Sequence, residues 1–340
     1  MDGYALLVAP SANRVYQADA PRLLAAELEI ICAARGIRLG EVRSERMAGV
    51  DYLMLSATDE QALARLVAVS SAPYALFARS GELLRPVALP AWARYSDDLV
   101  TIPKYTGKTN EQFTALLLNV TLAACGRPEL LTGGRGTVLD PVCGRGTTLS
   151  LALLRGLDAF GVDVDRKDVE AYSTFLRTWA RNHRLPHHHS FAPVRRNKKT
   201  LAQRLDVELY ADRRAQKSGD GQKLAVVVAD TTATSEYVRS GSVDVIVGDL
   251  PYGVAHGSHR GHDLNRRADD LLAGALPTWA SVLRPGGALG LSFNTRTLRR
   301  ATVEELCETA GLRVAGYGEV FAHKVDSSIY RDLVVAVRPG

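Results

Sequence analysis

The chain has few cysteines, no long apolar run and little excess charge, and each shortage excludes something. Four cysteines occur in 340 residues. They are Cys32, Cys125, Cys143 and Cys307, far apart and with no C-x-x-C pair. A disulfide framework and a cysteine-built zinc site are therefore not expected, and a reducing, cytoplasmic setting is. No window approaches the ~18 consecutive apolar residues of a membrane span. Met1-Asp2-Gly3 lacks the basic stretch of a secretory signal, so none is expected. A composition of 46% hydrophobic and 23% charged residues excludes wholesale disorder and coiled coil. The length suits about two domains with a sizeable core.

Net charge is only +5, but its distribution is uneven. Between Arg195 and Lys223 stand nine basic and four acidic residues, an excess of five that equals the whole imbalance. A concentrated basic segment is a candidate phosphate-binding footprint; its plainer reading is a solvated insertion.

Residues 1–85 read as a small β-α-β-β-α-β unit, with strands over Tyr4–Ala9, Ile37–Val42, Tyr52–Ser56 and Tyr74–Ala78. Asp59 suits the N-cap of the second helix. This order predicts a ferredoxin-like α+β domain. Pro86, Pro90 and Pro103 mark 86–110 as a linker. From 111 to 340 strands and helices alternate, with Leu224–Ala229 and Val243–Gly248 as continuous apolar runs. That pattern predicts a parallel α/β sheet covered on both faces. The basic stretch 184–223 interrupts it, with a hairpin expected between Asp206–Tyr210 and Leu224–Val228. Arg313–His323 and Ile329–Val337 lie too close for an intervening helix, so the last strand should enter antiparallel.

Four motifs carry chemistry. In the first, a strand ending at Asp140 runs through Pro141-Val142-Cys143-Gly144-Arg145-Gly146 into a helix at Thr147. Gly144 and Gly146 let backbone approach a ligand closely. Leu149 stands where a dinucleotide fold places its third glycine, and an acid at the strand tip suits a cationic ligand better than a pyrophosphate. In the second, Asp163 ends the next strand 23 residues after Asp140, a spacing that suits ribose hydroxyls. Asp165 suits a helix cap. In the third, Asp230 ends a later strand and suits an adenine amine.

The fourth motif is Asp249-Leu250-Pro251-Tyr252-Gly253. An exocyclic base amine is a poor nucleophile because its lone pair is delocalised into the ring. A carboxylate and a carbonyl that accept both N–H bonds favour the reactive pyramidal nitrogen, and an aromatic ring can stack on the base. Asp249, the Leu250 carbonyl and Tyr252 supply these elements, and Pro251 stiffens the loop by fixing φ.

Together these residues resemble class I S-adenosylmethionine-dependent methyltransferases. The D-P-x-C-G-x-G-T of 140–147 with the D-L-P-Y-G of 249–253 looks like the amino-methyltransferases of nucleic-acid bases, most closely the tRNA guanine-N2 methyltransferases that carry THUMP domains. The resemblance covers about 100–340 outside the insertion. It implies a Rossmann-like sheet of seven strands, the last antiparallel, beside the ferredoxin-like domain. It implies S-adenosyl-L-methionine as cofactor, S-adenosylhomocysteine as product and no metal. Asp140, Pro141, Cys143, Gly144, Gly146 and Thr147 would surround the methionine end. Asp163 would hold the ribose and Asp230 the adenine, with Val164, Thr231 and Asp249 also at the cofactor, and the catalytic residues at the target amine would be Asp249, Leu250, Pro251 and Tyr252. Thr109 and Asn110 would cover the amino-acid end. No THUMP domain fits between 85 and 110.

The expected function is N-methylation of an exocyclic base amine, guanine N2 in tRNA or another structured RNA, gripped through 195–223. A DNA adenine or cytosine amine, a peptide or small-molecule amine, and a non-catalytic RNA-binding subunit are the alternatives. A protein partner or a second copy of the chain would stand in for THUMP. Gly107-Lys108-Thr109 is no Walker A loop, because Ile102 occupies its first glycine position. His256, His259 and His262 beside Asp263 leave metal binding, a substrate lid and plain surface open. His323, Lys324 and Asp326 fall near substrate, and His187–His189 read as solvated.

Overall fold

The computed structural model describes residues 3–11, 13–105, 107–196, 199–251 and 261–340, without the side chains of 196, 199 and 261–267. Tyr252, Gly253, His256, His259, Thr106 and Lys198 lie outside the described residues, as do the side chains of His262 and Asp263.

The first unit is β1 (Gly3–Val8), α1 (Arg14–Ala34), β2 (Arg43–Met47), β3 (Val50–Leu55), α2 (Glu60–Val69), β4 (Pro73–Ser80) and β5 (Leu83–Val87). The sheet order is β2-β3-β1-β4-β5, antiparallel throughout. Its first four strands have the ferredoxin-like arrangement, and β5 extends one edge across residue 85. The second strand is not the apolar Ile37–Val42, which contributes only a bridge from Leu39 to Ala57. It is the polar Arg43–Met47, because an edge strand needs no apolar run. Asn13 starts α1 by accepting from the backbone N–H of Val15 and Tyr16. Asp59 caps α2 through Ala62.

Residues 88–110 are mostly exposed or half-buried, with a few anchors. They hold α3 (Asp98–Thr101), and Tyr95, Leu99 and Val100 are buried. Next come α4 (Glu111–Ala124), β6 (Thr137–Asp140), α5 (Thr147–Leu154), β7 (Asp158–Asp163), α6 (Arg166–Asn182), β8 (His187–Arg196) and β9 (Lys199–Leu209). The chain continues with α7 (Arg213–Ser218), β10 (Gln222–Val228), α8 (Thr234–Tyr237), β11 (Val243–Asp249), α9 (Gly261–Val282) and β12 (Leu283–Asn294). It ends with α10 (Arg300–Thr309), β13 (Arg313–Val314), β14 (His323–Lys324) and β15 (Tyr330–Val337).

The second sheet runs β13-β15-β12-β11-β6-β7-β10-β9-β8, with β14 paired to β15. Strands β10, β7, β6, β11 and β12 are mutually parallel, and β15 is antiparallel to β12. The expected seven strands are β10-β7-β6-β11-β12-β15-β13. The sheet is larger than expected because 184–223 does not loop out. It pairs β9 antiparallel to β10 and adds β8 outside it. The strands His187–His189 occupy are therefore part of the sheet, with His189 Nε2 3.0 Å from Ser173 Oγ.

The two units share a buried polar junction. Asn119 of α4 donates to Glu27 of α1 at 2.6 Å and to the Val69 carbonyl at 2.9 Å. Arg155 donates to Asn119 Oδ1 at 2.7 Å and also to the Val69 carbonyl. Ser71 N donates to Glu27 at 3.0 Å. Glu27, Asn119 and Arg155 are all buried, so removing one member leaves unpaired groups away from water.

Candidate active site

The parallel strands align their carboxyl ends along one edge, and strand order reverses between β6 and β11, where open α/β sheets bind ligands. Across that edge stand Asp230, Asp163, Asp140 and Asp249, followed by Ser292 of β12, which is in register with Asp249.

After β6 the chain reverses through two left-handed glycines, Gly144 (φ 48°) and Gly146 (φ 75°). A Cβ on Gly146 would sit 2.5 Å from the Tyr172 ring, so the turn admits only glycine there. Gly144 N donates to Asp163 Oδ2 at 2.6 Å, and Asp165 N to Asp163 Oδ1 at 2.8 Å. These bonds tie the first turn to the tip of β7. Asp165 caps α6 through Lys167 N. Val164 is 75% exposed immediately beyond Asp163, an apolar surface open to a flat ligand. Cys143 is buried with Pro141, and burial pushes its thiol well above the usual range. Thr147 Oγ1 pairs with the Tyr105 hydroxyl at 3.1 Å.

Asp140 is buried, with its carboxyl accepting from Val142 N at 3.1 Å and from Thr148. Burial pushes it up to about 7, and the carboxylates of Asp163 and Asp249 add to the rise. Asp163 is raised as well, chiefly by burial. These carboxylates crowd one edge of the sheet.

Asp249 is held from three distant parts of the chain. Ser292 Oγ donates to Oδ1 at 2.6 Å, Thr109 Oγ1 donates to Oδ2, and Arg331 of β15 lies 3.7 Å from Oδ2. Leu250 N donates to the Ser292 carbonyl at 2.9 Å, which fixes the first peptide of the loop; Pro251 is exposed. Arg331 is itself buried, its guanidinium 4.4 Å from the Phe113 ring centroid.

Three expected residues have their polar groups engaged within the protein. Thr231 turns into the core, where its hydroxyl accepts from Trp279 Nε1 at 3.1 Å, so its side chain is not at the site. Asn110 caps α4 through Gln112 N and donates to Ser11, because a helix start there leaves orphan N–H groups. Asp230 is exposed at the sheet edge and accepts from both donors of Thr232, which hold it below the usual carboxylate range. Ser292, Arg331 and Tyr105 reach the site without any sequence signal. The basic segment is also not one patch. Arg195 and Arg196 end β8 and Lys199 begins β9, past the end of β10 on the carboxylate edge, since Gln203 pairs with Val228. Arg213, Arg214 and Lys217 lie on α7, before β10 begins and hence at the opposite edge.

No protein-family model matches the chain, and no curated protein matches its sequence. Solved structures resemble its fold. TrmN from Thermus thermophilus is 16% identical with a TM-score of 0.40, over 89% of this chain and 60% of that one. The rRNA methyltransferase aviRa from Streptomyces viridochromogenes is 17% identical with a TM-score of 0.38, over 72% and 91%. Geranyl diphosphate C-methyltransferase from Streptomyces coelicolor, solved with S-adenosyl-L-homocysteine, is 13% identical with a TM-score of 0.38, over 67% and 76%. Likeness at this level bears on neither activity nor substrate. Within β10-β7-β6-β11-β12-β15-β13, the strand order, with β15 antiparallel to the rest, is that of the Rossmann-like class I methyltransferase fold.

Proposed function

We propose that this protein is an S-adenosylmethionine-dependent methyltransferase acting on an exocyclic amine of a nucleic-acid base, guanine N2 in tRNA or another structured RNA. The observation that carries the reading is the convergence of Asp140, Asp163 and Asp249 on one edge, close enough that the last two raise buried Asp140. A ligand with an ammonium and a sulfonium brings positive charge to that edge. The residues present fit it: Asp140 would meet the ammonium and Asp163 the ribose hydroxyls, with Val164 exposed beside Asp163. When bound, S-adenosylmethionine supplies an electrophilic methyl group.

Asp249 does the positioning. With Oδ1 and Oδ2 oriented by Ser292 and Thr109, its carboxylate accepts an N–H of the target amine and turns the nitrogen lone pair toward the methyl. Holding the two centres at near-attack distance is most of the catalysis required. Arg195, near the end of β8 on the same edge, gives the phosphate backbone a cation to meet, which favours a nucleic acid over a small amine. A base in a duplex must be flipped out to reach Asp249.

The test is transfer of labelled methyl from S-adenosylmethionine to unmodified tRNA, total RNA, DNA and a metabolite extract, with nucleosides identified after digestion. N2-methylguanosine is the expected product. Asp249→Ala should keep S-adenosylhomocysteine affinity and lose about 10²-fold or more in turnover. Ser292→Ala should lose about 10- to 100-fold, the effect of one hydrogen bond to a charged group. Label confined to metabolites would overturn the RNA assignment, and full activity of Asp249→Ala would overturn the mechanism.

A further inference from the structure

Beside Asp249 lies a pocket of about 190 Å³, lined by Asn13 and Tyr16 of α1, Thr109 and Asn110 before α4, and His323 and Arg331 of the β14–β15 ladder, among others. Thr109 and Arg331 are the same residues that hold Asp249. His323 and Arg331 face each other across the ladder, and both stack on Phe113, with the imidazole centroid 5.1 Å away.

His323 is the anomaly here. It is 1% exposed, and Tyr16 meets it edge-on at 5.6 Å. Its Nδ1 lies 2.8 Å from the Phe321 carbonyl, which only accepts, so Nδ1 carries the proton and donates. Nε2 has no hydrogen-bond partner among the described residues. Burial drives the ring down to about 4, with Arg331 adding to the fall, so the imidazole is neutral at physiological pH. A neutral ring protonated at Nδ1 presents a bare lone pair at Nε2. A buried acceptor left unmatched costs about 1–3 kcal/mol, which a bound N–H recovers.

The bases differ in what flanks the exocyclic amine. In guanine the N2 amine stands between a bare N3 and N1, and N1 carries a hydrogen. In adenine the atom beside N6 is a bare N1, and in cytosine the atom beside N4 is a bare N3. An acceptor next to the amine site therefore accepts from guanine and opposes lone pair to lone pair with the other two.

We propose that His323 is a specificity-determining residue, whose Nε2 accepts the N1–H of a guanine while Asp249 holds its N2 amine. The assignment rests on the methyltransferase reading above and adds to it a reason for the choice of base. It also gives the ferredoxin-like unit a part in the site, because Asn13 and Tyr16 form one wall.

The test uses the full chain and the RNA acceptor mapped by labelling, prepared with guanine or with 2-aminopurine at the methylated position. 2-Aminopurine keeps the amine and lacks N1–H. The wild type should prefer guanine by at least about 10²-fold in kcat/KM, since a site built for a donor rejects the analogue without it. In His323→Leu the preference should collapse to within a fewfold, while S-adenosylhomocysteine binding stays at the wild-type level and reports an intact fold. If that variant fails to bind, His323→Gln serves, and it should lower the preference at least tenfold. Methylation of RNA at an adenine or cytosine amine, or an unchanged preference in both variants, would overturn the role of His323 and leave the methyltransferase reading standing. No transfer to any nucleic acid would overturn both.

Discussion

Asp140 makes cofactor affinity depend on pH in a way that can be worked out in advance. In the ligand-free protein its carboxyl is pushed up to about 7 by burial, with Asp163 and Asp249 adding to the rise, against ~3.9 in an unfolded chain. The folded state thus holds its proton longer. Its contribution to stability is full below the unfolded value and falls as pH rises toward 7. A ligand ammonium needs the charged form, so binding must expel that proton. With a value near 7, about three quarters of the molecules are ionised at pH 7.5 and about one in eleven at pH 6. The affinity of S-adenosylhomocysteine should then fall about eightfold between pH 7.5 and 6, worth ~1.2 kcal/mol. Calorimetry in buffers of different ionisation enthalpy should show release of close to 0.8 proton at pH 6.5. 5′-Methylthioadenosine has the same nucleoside and no amino-acid end. Its affinity should vary less, because only the Asp163 contribution is shared. Asp140→Asn should bind S-adenosylhomocysteine weakly and lose this excess pH dependence. Parallel curves for the two ligands, or an unaltered curve in Asp140→Asn, would refute the reasoning.

Three further outcomes are expected. Gly146→Ala should lower Tm and weaken S-adenosylhomocysteine, since its Cβ meets the Tyr172 ring at φ 75°; Gly144→Ala, with open space around it, should cost only the ~1–2 kcal/mol of left-handed backbone in a denaturant melt. Asn119→Leu should reduce stability by about 2–4 kcal/mol, read as a lower urea midpoint at constant m, because it strips partners from buried Glu27 and Arg155. Arg195→Glu with Lys199→Glu should weaken RNA binding and flatten its salt dependence, by about 0.7 in log–log slope per lost single-strand contact, whereas Arg213→Glu with Lys217→Glu on α7 should change it little.

Much of this was legible in the sequence, for identifiable reasons. Buried parallel strands carry apolar runs, so Val245–Gly248 and Leu224–Val228 announce themselves. Strand-end aspartates and a glycine turn mark the ligand edge because backbone must bend there. Local caps such as Asp59 and Asp165 are short-range chemistry and read directly. What escaped depends on register or long-range packing. The β8–β9 extension needs the pairing of Gln203 with Val228 to divide the basic residues between two edges. Ser292 and Arg331 reach Asp249 only because β11, β12 and β15 lie side by side in the order 11-12-15. The polar β2 was lost because an exposed edge has no apolar signature.

Helix α1 is worth following along its length. Its first turn, with Tyr16, borders the pocket beside Asp249, and eleven residues on Glu27 is locked to Asn119. That distance is roughly 16 Å of rigid helix. The helix is thus a party wall: one household keeps its foundations in it while the other hangs its furniture on the same plaster. Two such rooms cannot be let separately. An isolated 111–340 fragment would inherit the carboxylates that call for the cofactor, yet its target pocket would stand open on one side. Loss of the small unit would take Glu27 from Asn119 and one wall from the pocket together, so stability and choice among targets would fall at once.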